Sequence, residues 1–242
     1  MKNIKISTKL LIMVTVMSLI IIIIGLYGER NLNTVNDSVE TVYKESVIPL
    51  EWWGLVDHIK SIADRFAAEG FVALAPDLFH GERTTAPDQA GKLLMALNIA
   101  EAGKELRGAA LHLGALTAVV PRKIGVLGFC MGGQLALFAA QEHPDLISAA
   151  VDFYGIHPKV SIEPSRLKVP VQGHFATRDT GVPVAGARAL AASVQLAGGA
   201  FELHEYVADH AFMNDARPTV YDEASAQLAW TRTIGFLKRA LA

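Results

Sequence analysis

The stretch "KIGVLGFCMGGQLALFAAQEH", residues 123–143, governs how the rest of the chain is read. Lys123 to Phe129 is a mainly apolar run of strand length, and Gly132 to His143 has a helical pattern that stops before Pro144. Between them, Gly128-Phe129-Cys130-Met131-Gly132 fits G-x-C-x-G, the cysteine form of the nucleophile elbow. A nucleophile on a strand-to-helix turn needs small neighbours two residues away, because the backbone folds tightly there, and glycine stands at both places. The side chain then projects over the carboxyl end of the sheet. The N–H of Met131 can face a developing oxyanion, and the positive end of the adjoining helix favours a thiolate. The competing reading is a small hydrophobe buried in the core, which is common for free cysteine in general. The flanking glycines and the strand-helix context favour the elbow.

Upstream of the elbow, "DHIKSIADRFAAEG" is an amphipathic helix closed by Gly70, with Ile59, Ile62, Ala63 and Phe66 on one side. "FVALAP" is a buried strand, and Asp88 to about Ala118 is helical, with Gly103 and Gly108 as places where it breaks. Downstream, "LISAAVDFYG", "VPVQGHFATRD" and "FELHEYV" are further strands. "VPVAGARALAASVQLAGG" and the last two dozen residues are helices. Strands that alternate with helices and carry apolar runs indicate a mainly parallel sheet covered on both faces, hence an α/β fold.

A nucleophile of this kind needs a base, and the base an orienter, in the chain order nucleophile, acid, histidine. Asp179 follows "VPVQGHFATRD", and His210 follows "FELHEYV". Both fall where that order predicts. Asp209 and Asp215 flank the histidine and rival Asp179 as its orienter. Of the remaining histidines, His58, His112, His143 and His157 read as surface or packing residues, His204 as a strand residue, and His174 as a core residue or one supporting the site.

A formal net charge of −2 gives no basic field, which argues against nucleic acid as a partner. The single cysteine excludes an intrachain disulfide and any multi-cysteine zinc site. No grouping of residues suggests a metal.

Residues 1–50 have a different texture. Lys2, Lys5 and Lys9 precede an uncharged apolar run, Leu10 to Tyr27, long enough for a membrane-spanning helix. "GLYGERNL" offers no small-x-small cleavage pattern, so an uncleaved anchor is expected rather than a secretory signal. The lysines place the N-terminus in the cytoplasm and send the remainder of the chain across a membrane. Leu32, Val35, Val39 and Val42 then mark a stalk helix that Pro49 ends.

From Lys5 to Leu50 the sequence resembles the start of a bacterial methyl-accepting chemotaxis receptor, without the second span or the long signalling helices of one. From Glu51 onward, "EWWGLVDHIKSIADRFAAEGFVALAPDLFHG", "GVLGFCMGGQLAL" and "DHAFMND" resemble the dienelactone hydrolase family, a branch of the α/β-hydrolases. The division is thus 1–50, anchor and receptor-like helix, and 51–242, hydrolase-like domain. The resemblance implies hydrolysis of a small ester or lactone by a Cys130-Asp179-His210 triad with no cofactor. It also implies that Glu51 lies beside the thiol and that Trp52 gives the second oxyanion N–H beside that of Met131. That family usually works in the cytoplasm, the alternative to a membrane location.

Two departures stand out. The arginine that binds a substrate carboxylate in the family falls here at Asn214, leaving Arg83 as the weaker candidate for an anionic substrate. The strand that should precede Glu51 is replaced by "ESVIPL", too short and proline-broken for a buried strand. The expectation is a sheet without its first strands and an imprecise oxyanion site, where a misplacement of about 1 Å costs on the order of a hundredfold in rate. Besides an active hydrolase, the chain is therefore also read as an impaired fusion protein, or as a membrane-anchored sensory or binding protein with an inactive hydrolase shell.

Overall fold

The computed structural model describes residues 21–27, 57–82 and 87–242. The elements are β1 (Ile21–Tyr27), α1 (Asp57–Ala68), β2 (Phe71–Leu74), α2 (Pro87–Ala96), α3 (Ile99–Ala115), β3 (Val119–Phe129), α4 (Met131–Glu142), β4 (Ile147–Phe153), β5 (Val171–Ala176), α5 (Val184–Leu196), β6 (Phe201–Tyr206) and α6 (Glu223–Leu241). They form a six-stranded sheet in the order β2-β1-β3-β4-β5-β6. From β3 to β6 every pairing is parallel. This is the mainly parallel α/β sheet that the apolar runs predict.

Burial on both faces explains those runs. Val126 and Ala150 pack with Leu106, Leu135 and Val171 on the side of α3 and α4. Their chain neighbours Leu127 and Val151 pack with Phe66, Phe175 and Leu237 on the side of α1 and α6. Successive strand residues point to opposite faces, so a strand covered twice is apolar on both.

The helical segment after Asp88 breaks at Leu97 and Asn98, not at its glycines. Asn98 caps α3, its Oδ1 accepting the N–H groups of Ala100 and Glu101. Gly103 lies within α3 as a contact point, where a Cβ would stand 3.0 Å from the ring of Phe138. Gly70, at φ +87°, closes α1 as expected.

The expected membrane helix Leu10 to Tyr27 is corrected over its last seven residues; residues 10–20 lie outside the described residues. Ile21–Tyr27 is a strand, antiparallel to both neighbours, with Ile23 opposite Leu74 on one side and Val126 on the other. An uncharged isoleucine run suits a strand buried on both faces as well as it suits lipid, and β-branching favours the strand. Two ladders satisfy its backbone groups, as the intrahelical bonds of a membrane helix would. The expected bilayer contact through Leu10–Tyr27 is corrected for the same seven residues. Among the described residues, no helix is long and apolar enough to cross a membrane.

One strand upstream of Glu51 does join the sheet: Ile21–Tyr27 takes the place between β2 and β3. Among the described residues, β2 is the edge of the sheet, with no strand beyond it. The seam before Glu51 and the stalk-helix residues lie outside the described residues.

Candidate active site

The elbow is built at the exit of β3. Cys130 has φ 53° and ψ −131°, a conformation sparsely populated by non-glycine residues and one that persists only where its surroundings impose it. Its N–H donates to the carbonyl of Phe153 at the end of β4 (2.8 Å), and its own carbonyl accepts from Gly133 in the first turn of α4 (2.9 Å). A Cβ on Gly155 would lie 2.3 Å from the Cys130 carbonyl oxygen, so only glycine admits this approach. Met131 opens α4, where the first N–H groups of a helix have no intrahelical acceptor.

Asp179 and His210 stand three and four residues past the ends of β5 and β6. His210 Nδ1 meets Asp179 Oδ2 at 2.5 Å, with the carboxylate almost fully buried. The other oxygen, Oδ1, accepts the N–H groups of Gly181 and Val182, each at 2.8 Å, so the carboxylate cannot swing away from the ring. With Nδ1 engaged, Nε2 is left for the hydrogen bond that joins His210 to Cys130. Burial, the largest single influence, pushes the imidazole down. The hydrogen bonds and charges of Cys130 and then Asp179 outweigh it and raise it to about 9. Ala211, at φ 65°, turns the chain next to the histidine.

The rival carboxylates are engaged elsewhere. Asp209 holds Arg178 at 3.2 and 3.3 Å, both half-exposed. Asp215 meets Nδ1 of His58 at 2.8 Å. Chain order favours Asp179 over its two rivals, and the geometry brings Asp179 to His210.

His58, expected at the surface or in simple packing, is therefore a buried, paired residue that ties the start of α1 to the loop after His210. His174 is fully buried, as a core position demands, with Nδ1 on the Tyr206 hydroxyl (2.8 Å) and Nε2 near Gln172 Oε1 (2.9 Å) and Thr233 Oγ1 (3.0 Å). His157 reaches the rim of the pocket. Asn214, at the place where the family carries its arginine, is buried and accepts the N–H of Ala216, and so shapes a turn. Glu51, Trp52 and Arg83 lie outside the described residues.

A pocket of about 580 Å³ opens over Cys130 and His210. Leu94, Ile156, Val182 and Val220 give it apolar walls, and Arg178, Asp209 and His157 give it polar ones. Tyr154, which no sequence motif marks, lines the pocket, and its ring centroid lies 5.0 Å from that of His210. An aromatic residue at the carboxyl end of a buried strand, in "DFYG", is the available signal. Arg178 is likewise visible in the sequence only as the neighbour of Asp179. Among the described residues, no group of three or more His, Cys, Asp or Glu is placed to hold a metal ion.

Comparison with known proteins agrees with this construction. The dienelactone hydrolase family model matches residues 35–241, and a four helix bundle sensory module for signal transduction matches residues 3–61. Protein usf of Aquifex pyrophilus is 38% identical over 198 residues, covering 79% of this chain and 86% of its own. A putative carboxymethylenebutenolidase of Aquifex aeolicus is 33% identical over the same shares. The crystal structure of a putative dienelactone hydrolase from Klebsiella pneumoniae superposes with a TM-score of 0.68 at 26% identity, covering 76% of this chain and 82% of that one. With a cysteine on a strained strand-helix turn, a histidine and a carboxylate at the ends of later parallel strands, and a family match over most of its length, the chain belongs to the dienelactone hydrolase family of α/β-hydrolases.

Proposed function

We propose that this chain hydrolyses small carboxylic esters or lactones through a covalent acyl-enzyme on Cys130, with His210 as base and Asp179 as its orienter. The observation that carries the reading is the 2.5 Å contact between His210 Nδ1 and Asp179, which leaves Nε2 for the thiol of Cys130. His210 takes the thiol proton, and the thiolate adds to the substrate carbonyl. The oxyanion is held by the Met131 N–H, with Trp52 as the second donor that the family resemblance implies. As the tetrahedral adduct collapses, the C–O bond breaks and the imidazolium protonates the leaving alkoxide. Water then adds to the thioester while His210 accepts its proton, the carboxylic acid leaves, and the thiol is restored. No cofactor enters these steps. Apolar walls, with Arg178 already paired to Asp209, support a small and largely apolar acyl group.

The test is mass spectrometry of the protein after brief exposure to p-nitrophenyl acetate. One acetyl group on Cys130, with release of p-nitrophenolate, supports the reading. Unchanged turnover in Cys130→Ala refutes it.

A second reading, a hydrolase fold that acylates slowly, is favoured by the direction of β1. Tyr27 lies opposite Val119, at the start of β3 and hence at the sheet edge away from Cys130. The match to a sensory module over residues 3–61 fits the same picture. Losing one oxyanion donor costs about a hundred- to a thousandfold in rate. A burst of acylation followed by feeble turnover supports this reading, and vigorous turnover refutes it.

A further inference from the structure

Directly below the elbow, in β4, lies Asp152, a carboxyl with no accessible surface. Its Oδ1 accepts the N–H of Gly155 at 2.9 Å. Its Oδ2 is buried and has no hydrogen-bond partner among the described residues. Two glycines make room for it: a Cβ on Gly133 would stand 2.0 Å from Oδ1, and one on Gly155 would stand 2.5 Å from the same atom. The carboxyl is thus wedged between the first turn of the nucleophile helix and the turn that ends β4.

That second turn touches the backbone of Cys130 and the ring of His210. The Phe153 carbonyl takes the Cys130 N–H, the Gly155 backbone lies against the Cys130 carbonyl, and the Tyr154 ring packs on His210. Tyr154 itself sits at φ 44°, a strained value that the bond from Gly155 to Asp152 helps to hold.

We propose that Asp152 is a positioning residue of the elbow, working as a neutral carboxylic acid that locks the Phe153–Gly155 turn against Cys130 and His210. An ionised carboxylate with one bare oxygen in a fully buried place would cost far more than a protonated one. Gly133 and Gly155 close on the carboxyl, and Gly128 of β3 and Gly173 of β5 stand opposite it in the sheet. Among the described residues, no charged side chain is an influence on the carboxyl, only burial and the Gly155 N–H. Burial accordingly holds Asp152 well above the ordinary carboxylate range, opposed only by the hydrogen bond from Gly155. Linkage gives the sign. A carboxyl raised on folding favours the folded state most at low pH and loses that advantage as pH climbs past 3.8.

The inference rests on the proposed cysteine chemistry only for its kinetic arm. Its stability arm stands apart, so failure of the hydrolase reading, seen as no acylation of the parent, is distinguishable from failure of this one. Asp152→Ala is expected to keep its fold and a KM within about threefold while kcat drops tenfold or more. Asp152→Asn, which keeps the acceptor for Gly155, is expected to rescue most of kcat without moving the pH–rate profile. The melting temperature of Asp152→Asn should exceed that of the parent by a margin that widens from pH 4.5 to pH 8. Full kcat in Asp152→Ala overturns the positioning role. Should Asp152→Ala not fold, Asp152→Asn decides alone: a margin flat with pH, or a displaced pH–rate profile, overturns the neutral acid.

Discussion

Asp179→Asn probes the site most directly. The substitution keeps shape and volume, and the amide oxygen can still accept from Gly181 and Val182, which bind Oδ1 at 2.8 Å each. That leaves the amide NH₂ facing His210 Nδ1, where a carboxylate oxygen sat at 2.5 Å. Two donors cannot meet, so the ring must carry its proton on Nε2 and cannot act as base toward Cys130. For a serine triad, the corresponding change costs about four orders of magnitude in kcat. A thiol is the better nucleophile, so a loss of about 10²–10⁴ is expected here. Removing the anion also takes away one of the influences that raise His210 to about 9. The alkaline limb of the pH–rate profile should therefore move toward 6.5, the ordinary histidine value. The assay is kcat/KM for p-nitrophenyl acetate from pH 5 to 10, with circular dichroism to establish that the variant is folded. A folded variant within threefold of the parent, with its alkaline limb unmoved, would show that Asp179 does not orient the base.

Proton linkage gives two stability predictions of opposite sign. His210 is raised on folding, so its contribution is complete below pH 6.5 and is lost as pH rises through about 9; His210→Gln should flatten the decline of melting temperature across that window. His174 is held well below 6.5 by burial first, then by the charges of His204 and Arg232, so the parent should lose stability as pH falls below 6.5, and His174→Gln should lose less. Ile24→Pro removes a ladder donor from a strand paired on both sides, opposite Ala73 and Gly125. An orphaned buried partner alone costs about 1–3 kcal/mol, so a clear drop in the urea midpoint is expected, and an unchanged midpoint would argue against the strand. Gly133→Ala drives a Cβ to 2.0 Å from Asp152 Oδ1 and 3.1 Å from the Gly128 carbonyl, and overpacking of this kind costs about 1–3 kcal/mol, measurable in the same denaturation series.

Local chemistry controls the part of this protein that is legible in its sequence. The elbow needs glycines within a few residues of Cys130, so "GFCMGG" announces it. The strands of a doubly covered sheet carry apolar runs, so β3 and β4 read directly from residues such as Val126, Leu127, Ala150 and Val151. Chain order then limits the base and its orienter to a few residues near two strand ends. The rest depends on which distant segments meet. Chain order prefers Asp179 but leaves Asp209 and Asp215 as rivals, and the placement of His210, Arg178 and His58 separates them. Asp152 reads as one polar letter in a strand until Gly133 and Gly155 are seen closing on it. The isoleucine run shows the limit most plainly. Lipid and the interior of a sheet both reward an uncharged apolar segment, so composition cannot choose between them. That choice is made by partners, through the backbone ladders that β2 and β3 offer to Ile21–Tyr27.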